Sequence, residues 1–272
     1  MWAVYLSCLD MKCLLVFSLC FLFGILSADA QIRIESKIHR LPETEVAKTI
    51  SLNPDYHVFG EALADGDEKL PLLMVLHGGG GTGLEIGKVK GAPIRLIHTM
   101  KEAKIKSIVV APQAAKSPMK VGAKGGWVPT DLDVLLAHLL KTLPVDANRV
   151  YLTGSSMGGY GTYVWAGVSP GHFAAIAPMV GGLGALGPKD ITSDLDLWGK
   201  NLATLPMKTY YGAEDRVVPA DRGKMILEAI TKAGGTQAEL IIFDDMGHNA
   251  GQRPYSDPEF FRWLFSHKRE QK

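Results

Sequence analysis

The chain has 272 residues, 47% hydrophobic and 21% charged, with a formal net charge of +1. These proportions exclude a disordered or fibrous chain, and the near-neutral charge balance gives no reason to expect nucleic acid or an anionic membrane as partner. What remains is a globular protein, long enough for one large α/β domain or two small ones.

The first segment has its own character. Met11-Lys12 leads into the apolar run from Cys13 to Leu26, and Ser27-Ala28-Asp29-Ala30 follows. A positive start, an apolar core and an Ala-x-Ala site form the pattern of a secretory signal peptide. The core is about 14 residues, short of the roughly 20 that a membrane-spanning helix needs. Residues 1–30 are therefore expected to be a signal peptide cleaved after Ala30, with Met11 an alternative start and residues 31–272 the mature domain. A retained membrane anchor is the competing reading. Cys8, Cys13 and Cys20 all lie in this segment. The mature chain would then hold no disulfide, thiolate metal site or cysteine nucleophile. An exported protein without disulfides fits a bacterial periplasmic or secreted enzyme.

Two β-like runs, Gln31 to Ile38 and Tyr56 to Leu63, read as edge strands and a hairpin. Leu70 to Leu76 is a continuous apolar run, as in a strand buried on both faces. It ends in His77-Gly78-Gly79-Gly80-Gly81-Thr82-Gly83. No Gly-Lys-Ser/Thr follows, so a P-loop site is not indicated. The run matches the loop that gives an α/β hydrolase an oxyanion donor. His77 reads as structural rather than catalytic.

Ala92 to Lys104 has the spacing of an amphipathic helix, and Ile105 to Ala111 is a second buried strand. A loop over 113–129 carries Trp127. Thr130 is a candidate cap for a helix whose third position is Asp133, with Leu132, Leu135, Leu136 and Leu139 on its buried face.

Arg149 to Gly161 reads RVYLTGSSMGGYG. A β-branched run breaks at a glycine and resumes as a helix-compatible segment, and inside it lies Gly154-x-Ser156-x-Gly158. This is the pattern of a nucleophile elbow, in which a serine hydroxyl stands exposed on a tight strand-to-helix turn. The helix starts beside the serine, so the Met157 N–H faces any oxyanion formed there. Further strands are expected at Phe173 to Val180, Met207 to Tyr211 and Ala238 to Phe243, with helices at Ala220 to Ala233 and from Pro258 to about Lys268. Asp215 and His248 each follow one of these strands. The order Ser156, Asp215, His248 is that of the α/β-hydrolase triad, with His248 as general base and Asp215 orienting it. No His and carboxylate spacing suits a metal.

Together these residues resemble a known group, the exported α/β-hydrolase esterases and peptidases related to prolyl-oligopeptidase, dienelactone-hydrolase and polyhydroxybutyrate-depolymerase enzymes. The resemblance rests on Leu76 to Gly81, Ala111-Pro112-Gln113 with Trp127, Leu152 to Thr162, Tyr211 to Pro219 and Gly247-His248-Asn249. It departs from many dienelactone hydrolases in having serine where they use cysteine, and from prolyl oligopeptidases in having no propeller domain.

Strand and helix alternate throughout, which together with the resemblance gives a single-domain α/β hydrolase with a mostly parallel sheet and helices on both faces. The interval between Val180 and Met207 is too short for a large lid. The resemblance implies an esterase without cofactor, acting through an acyl-enzyme on Ser156 upon a small-molecule or polymer-linked ester. Met157 and Gly79 would form the oxyanion hole, with Gly80 the second choice for the latter. Trp127 and the Gly181 to Leu186 loop are candidate walls of the substrate pocket, a packed loop aromatic being the alternative for Trp127. A peptidase on the same fold, or a non-catalytic binding protein on this scaffold, are the competing functions.

Overall fold

The computed structural model describes residues 34–115, 126–183 and 194–270. The expected signal peptide, and residues 184–186 of the expected pocket wall, lie outside the described residues. Residues Glu35–Lys272 form one unit, built on an eight-stranded sheet in the order β1-β2-β4-β3-β5-β6-β7-β8.

Strands β1 (Ser36–Arg40) and β2 (Asp55–Phe59) are antiparallel to each other, and β2 is antiparallel to β4 (Ile108–Ala111). From β4 through β3 (Leu70–Leu76), β5 (Val145–Ser155), β6 (Ala175–Met179), β7 (Met207–Gly212) and β8 (Ala238–Phe243) every pairing is parallel. The central strands are apolar because both their faces are covered; every residue of Leu70–Leu76 is buried.

Among the described residues six longer helices accompany the sheet: α1 (Gly91–Glu102), α2 (Pro129–Thr142), α3 (Met157–Val168), α4 (Leu195–Leu202) and α5 (Asp221–Lys232) between strands, and α6 (Pro258–Ser266) after the last one. Helices α1 and α6 pack on each other, while α2 packs on α3, α3 on α4 and α4 on α5. Among the described residues no helix is long and apolar enough to cross a membrane.

The edge departs from the sequence reading. The first strand starts at Ser36, and the second ends at Phe59, with Glu61–Leu63 a single 3₁₀ turn. The two strands are not a tight hairpin, since a helical turn at Glu43–Val46 lies between them. Helix α2 starts one residue before the expected cap: Pro129 opens it after Val128, and Thr130 caps nothing. Proline suits that first position because it lacks only an N–H that the helix cannot use. Asp133 serves tertiary contacts instead, accepting from Trp165 Nε1 at 2.7 Å and Ser169 Oγ at 3.2 Å and meeting His172 Nε2 at 3.0 Å. The fold's consequence for function is topological. The chain runs from β3 outward to β4 and then returns to β5 on the other side of β3, so the crevice past the C-terminal ends of β3 and β5 lies where the strand order reverses.

Candidate active site

Four loops converge on that crevice, one each from the ends of β3, β5, β7 and β8. Ser156 stands between β5 and α3 with φ 59° and ψ −120°, a strained backbone for a residue with a side chain. Two constraints hold it. Its N–H donates to the Met179 carbonyl at 3.0 Å, and the chain behind it packs without clearance. A Cβ on Gly158 would lie 2.0 Å from the Leu76 carbonyl oxygen, so only glycine lets α3 start against the end of β3.

The hydroxyl does not cap its own helix. Ser156 Oγ lies 2.9 Å from His248 Nε2, and His248 Nδ1 lies 2.8 Å from Asp215 Oδ2. His248 opens a 3₁₀ turn, His248–Gln252, and keeps about a third of its side chain in solvent, whereas the Asp215 side chain is fully buried. The other carboxylate oxygen, Oδ1, accepts the backbone N–H groups of Val217 at 2.8 Å and Val218 at 2.9 Å. Those bonds fix the carboxylate plane and satisfy a charge that burial would otherwise penalise. The histidine and aspartate loops meet because Gly212 ends β7; a Cβ there would lie 2.1 Å from the Met246 carbonyl. Glu214, Asp244 and Asp245 are exposed.

The glycine loop after β3 forms the facing wall. His77 is locked at both ring nitrogens: Nδ1 donates to the Gly78 carbonyl at 2.7 Å, and Nε2 accepts the Ala114 N–H at 3.0 Å. Burial holds its pKa down at about 4, so the ring is neutral near pH 7, in the tautomer those two partners require. Beyond it, Gly79–Gly81 is a single 3₁₀ turn, and Gly79 and Gly80 meet no neighbouring atom within 4 Å of where a Cβ would sit. Thr82 Oγ1 lies 3.7 Å from Met157 Sδ and ties this loop to the start of α3.

Between the loops is a cleft of about 720 Å³ that Ser156, His248 and Gly78 to Gly81 help to line. Lys88, paired with Glu85 at 3.0 Å, and Arg95 also line it, and no carboxylate stands among its described lining residues. Sequence reading missed both cations. The only available signal was the position of Arg95 on the polar side of an amphipathic helix, which does not reveal that this side faces a cleft.

Trp127 is not in the wall of that cleft. It is only 6% exposed, its Nε1 donates to the His77 carbonyl at 3.2 Å, and its ring centroid lies 4.7 Å from that of His77. The absence of a side chain at Gly161 makes room for it, since a Cβ there would come within 2.5 Å of the indole. Of the two readings of Trp127, the geometry matches the packed aromatic behind the glycine loop.

No family model matches the chain. A protein named "Putative carboxymethylenebutenolidase" from Salmonella typhimurium is 32% identical over 117 residues, which make up 40% of this chain and 40% of that protein. The match thus spans less than half of that relative. Among solved structures, a thermostable esterase superposes with a TM-score of 0.68 at 22% identity, over 87% of this chain and 63% of the esterase. An acylaminoacyl peptidase does so with a TM-score of 0.56 at 18% identity, over 88% of this chain and 43% of the peptidase. The chain has the α/β-hydrolase fold, and its likenesses fall among the esterases, dienelactone-hydrolase-type proteins and peptidases expected from its motifs.

Proposed function

We propose that the protein is a serine hydrolase that cleaves carboxylic esters through an acyl-enzyme on Ser156. The observation that carries this reading is the hydrogen-bonded series from Ser156 Oγ through both ring nitrogens of His248 to Asp215. In this mechanism His248 Nε2 takes the hydroxyl proton as Ser156 Oγ attacks the ester carbonyl. Asp215 holds the proton on Nδ1 and stabilises the imidazolium. The oxyanion is received by the Met157 N–H, which has no partner within its own helix, and by the Gly79 N–H of the facing loop. The imidazolium protonates the departing alcohol, and water deacylates the serine by the same steps in reverse.

The substrate is an ester that reaches an open cleft, either a small molecule or one linked to a polymer. The name carboxymethylenebutenolidase describes hydrolysis of a lactone carrying a carboxyl group. Lys88 and Arg95 favour including carboxylate-bearing esters among the candidates. Export as a mature chain from Gln31 belongs to the same proposal.

The test is labelling with a fluorophosphonate probe, followed by turnover of p-nitrophenyl butyrate, of a carboxylate-bearing ester and of an aminoacyl p-nitroanilide. Ser156→Ala should abolish labelling and ester turnover, while Ser155→Ala keeps much of both. A wild-type protein that takes no label would be a binding protein on this scaffold, and faster turnover of the anilide would make it a peptidase.

A further inference from the structure

Gln113 follows β4 and Pro112, on a loop that carries none of the proposed catalytic groups. Its side chain has no exposure, and each end is bonded. Nε2 donates to the Gly81 carbonyl at 2.7 Å and to the Glu85 carbonyl at 3.1 Å, while Oε1 accepts from Asn53 Nδ2 at 2.7 Å. The neighbouring backbone grips the same loop: Ala114 N–H donates to His77 Nε2, and the Ala114 carbonyl accepts from Gly83 N at 3.0 Å. The glycine loop is therefore clamped at His77 on one side and at Gly81 and Gly83 on the other. Gly79 and Gly80 form the arch between and line the cleft, with open space where a Cβ would stand on either.

An arch of glycines has no side-chain packing to fix its peptide planes, and its backbone is the most permissive available. The peptide that carries the Gly79 N–H is held at the Gly78 carbonyl by His77 Nδ1 at 2.7 Å and by the Gly81 N–H at 3.0 Å, so its direction depends on where Gly81 is kept. We propose that Gln113 is a positioning residue that acts through the glycine loop, aiming the Gly79 N–H at the oxyanion. This inference rests on the hydrolase reading above and adds a residue to it. The amide is required because the site needs two donors and one acceptor in a single uncharged group. A carboxylate would set negative charge against two carbonyl oxygens, and a thioether would leave both without this donor.

The experiment compares wild type with Gln113→Met and Gln113→Glu, measuring kcat and KM for p-nitrophenyl butyrate and the inhibition constant of phenylboronic acid. The boronate becomes tetrahedral on a nucleophilic serine and presents an oxygen to the oxyanion site. Loss of a preorganised donor costs on the order of 10²–10³ in kcat. The expected result is a fall in kcat approaching that range, with KM little changed and boronate binding weakened by a comparable factor. The pH profile of kcat/KM should stay in place, because the contacts among Ser156, His248 and Asp215 do not involve Gln113. A fall in kcat with boronate binding intact would overturn the proposal, as would unchanged kcat in folded variants. Where circular dichroism shows that a Gln113 variant has not folded, Asn53→Ala decides. It removes the side-chain partner of Gln113 Oε1, and with it the contact that keeps the amide turned toward Gly81 and Glu85, together with the acceptor of the Asp55 N–H. A smaller, parallel loss in kcat and boronate affinity supports the proposal, and no loss in either overturns it. Absence of fluorophosphonate labelling in the wild type would instead overturn the hydrolase reading itself.

Discussion

His248 Nε2 stands 2.9 Å from Ser156 Oγ, between residues 92 positions apart in the chain, while its other ring nitrogen is engaged by Asp215. Each end of the imidazole therefore has a different partner. One is half of a strained turn, and the other is a buried carboxylate anchored by two backbone N–H groups.

The choice of carboxylate is the first consequence. Asp215→Asn should preserve the fold and lower kcat by roughly 10⁴, because an amide at this position favours the wrong imidazole tautomer. Asp244→Asn and Asp245→Asn remove exposed groups close to His248 in sequence, and each should cost far less. Steady-state kinetics on the three variants give the answer, and the reverse ranking would move the acid to the histidine loop.

The elbow should tolerate no side chain at Gly158. Gly158→Ala drives a methyl group into the Leu76 carbonyl, 2.0 Å away, where the obstacle is backbone rather than a movable side chain. Overpacking of this kind costs typically 1–3 kcal/mol. A loss of at least about 2 kcal/mol in urea unfolding is expected, with turnover lost in the remaining folded protein. Wild-type stability in this variant would mean that α3 starts further from β3 than described.

His77 gives a pH dependence of stability. Its folded pKa, about 4 through burial, is lower than the 6.5 of a free imidazole. Between those values the unfolded chain binds the extra proton and the folded chain does not, so stability rises with pH across the window. The contribution is complete above pH 6.5 and is lost as the pH falls toward 4, with a slope of at most about 1.4 kcal/mol per pH unit. His77→Gln removes this component. Its urea midpoint should fall less steeply than that of wild type between those limits, and parallel curves would show that the ring is not held neutral.

The N-terminal proposal has its own assay. N-terminal sequencing of the protein recovered from the envelope or medium should begin at Gln31. A chain that keeps residues 1–30 and sediments with membranes would favour the anchor.

Much of the architecture was legible because burial of a strand on both faces leaves a plain mark in sequence. Leu70 to Leu76 is an unbroken apolar stretch that ends at His77 and its glycines, and Val150 to Leu152 is a shorter one that gives way to Thr153-Gly154. That punctuation located the loops, and in a parallel sheet the loops past the strand ends are where a site is built. Ser156, Asp215 and His248 could be nominated for this reason, without any knowledge of their distances. For the acid, Asp215 rather than Asp244 or Asp245 meets the requirement that the carboxylate approach from a loop separate from that of the histidine.

What sequence could not supply were contacts between residues with no periodic or local relation. Trp127 looked available to a substrate, yet the missing side chain at Gly161 and the carbonyl of His77 draw it behind the loop. Thr130 had the chemistry of a cap, but Pro129 opens the helix first and leaves Asp133 to bind three partners from α3 and the turn beyond it. The roles of Gln113 and Asn53 depend on β2 and β4 lying side by side, a pairing that brings position 53 next to 113. Sequence alone determined where the parallel strands end and the residue types stationed there, since these are set by local conformation and burial pattern. Only the tertiary structure decided which side chains support the glycine loop and which line the cleft, because close packing selects those neighbours from across the whole chain.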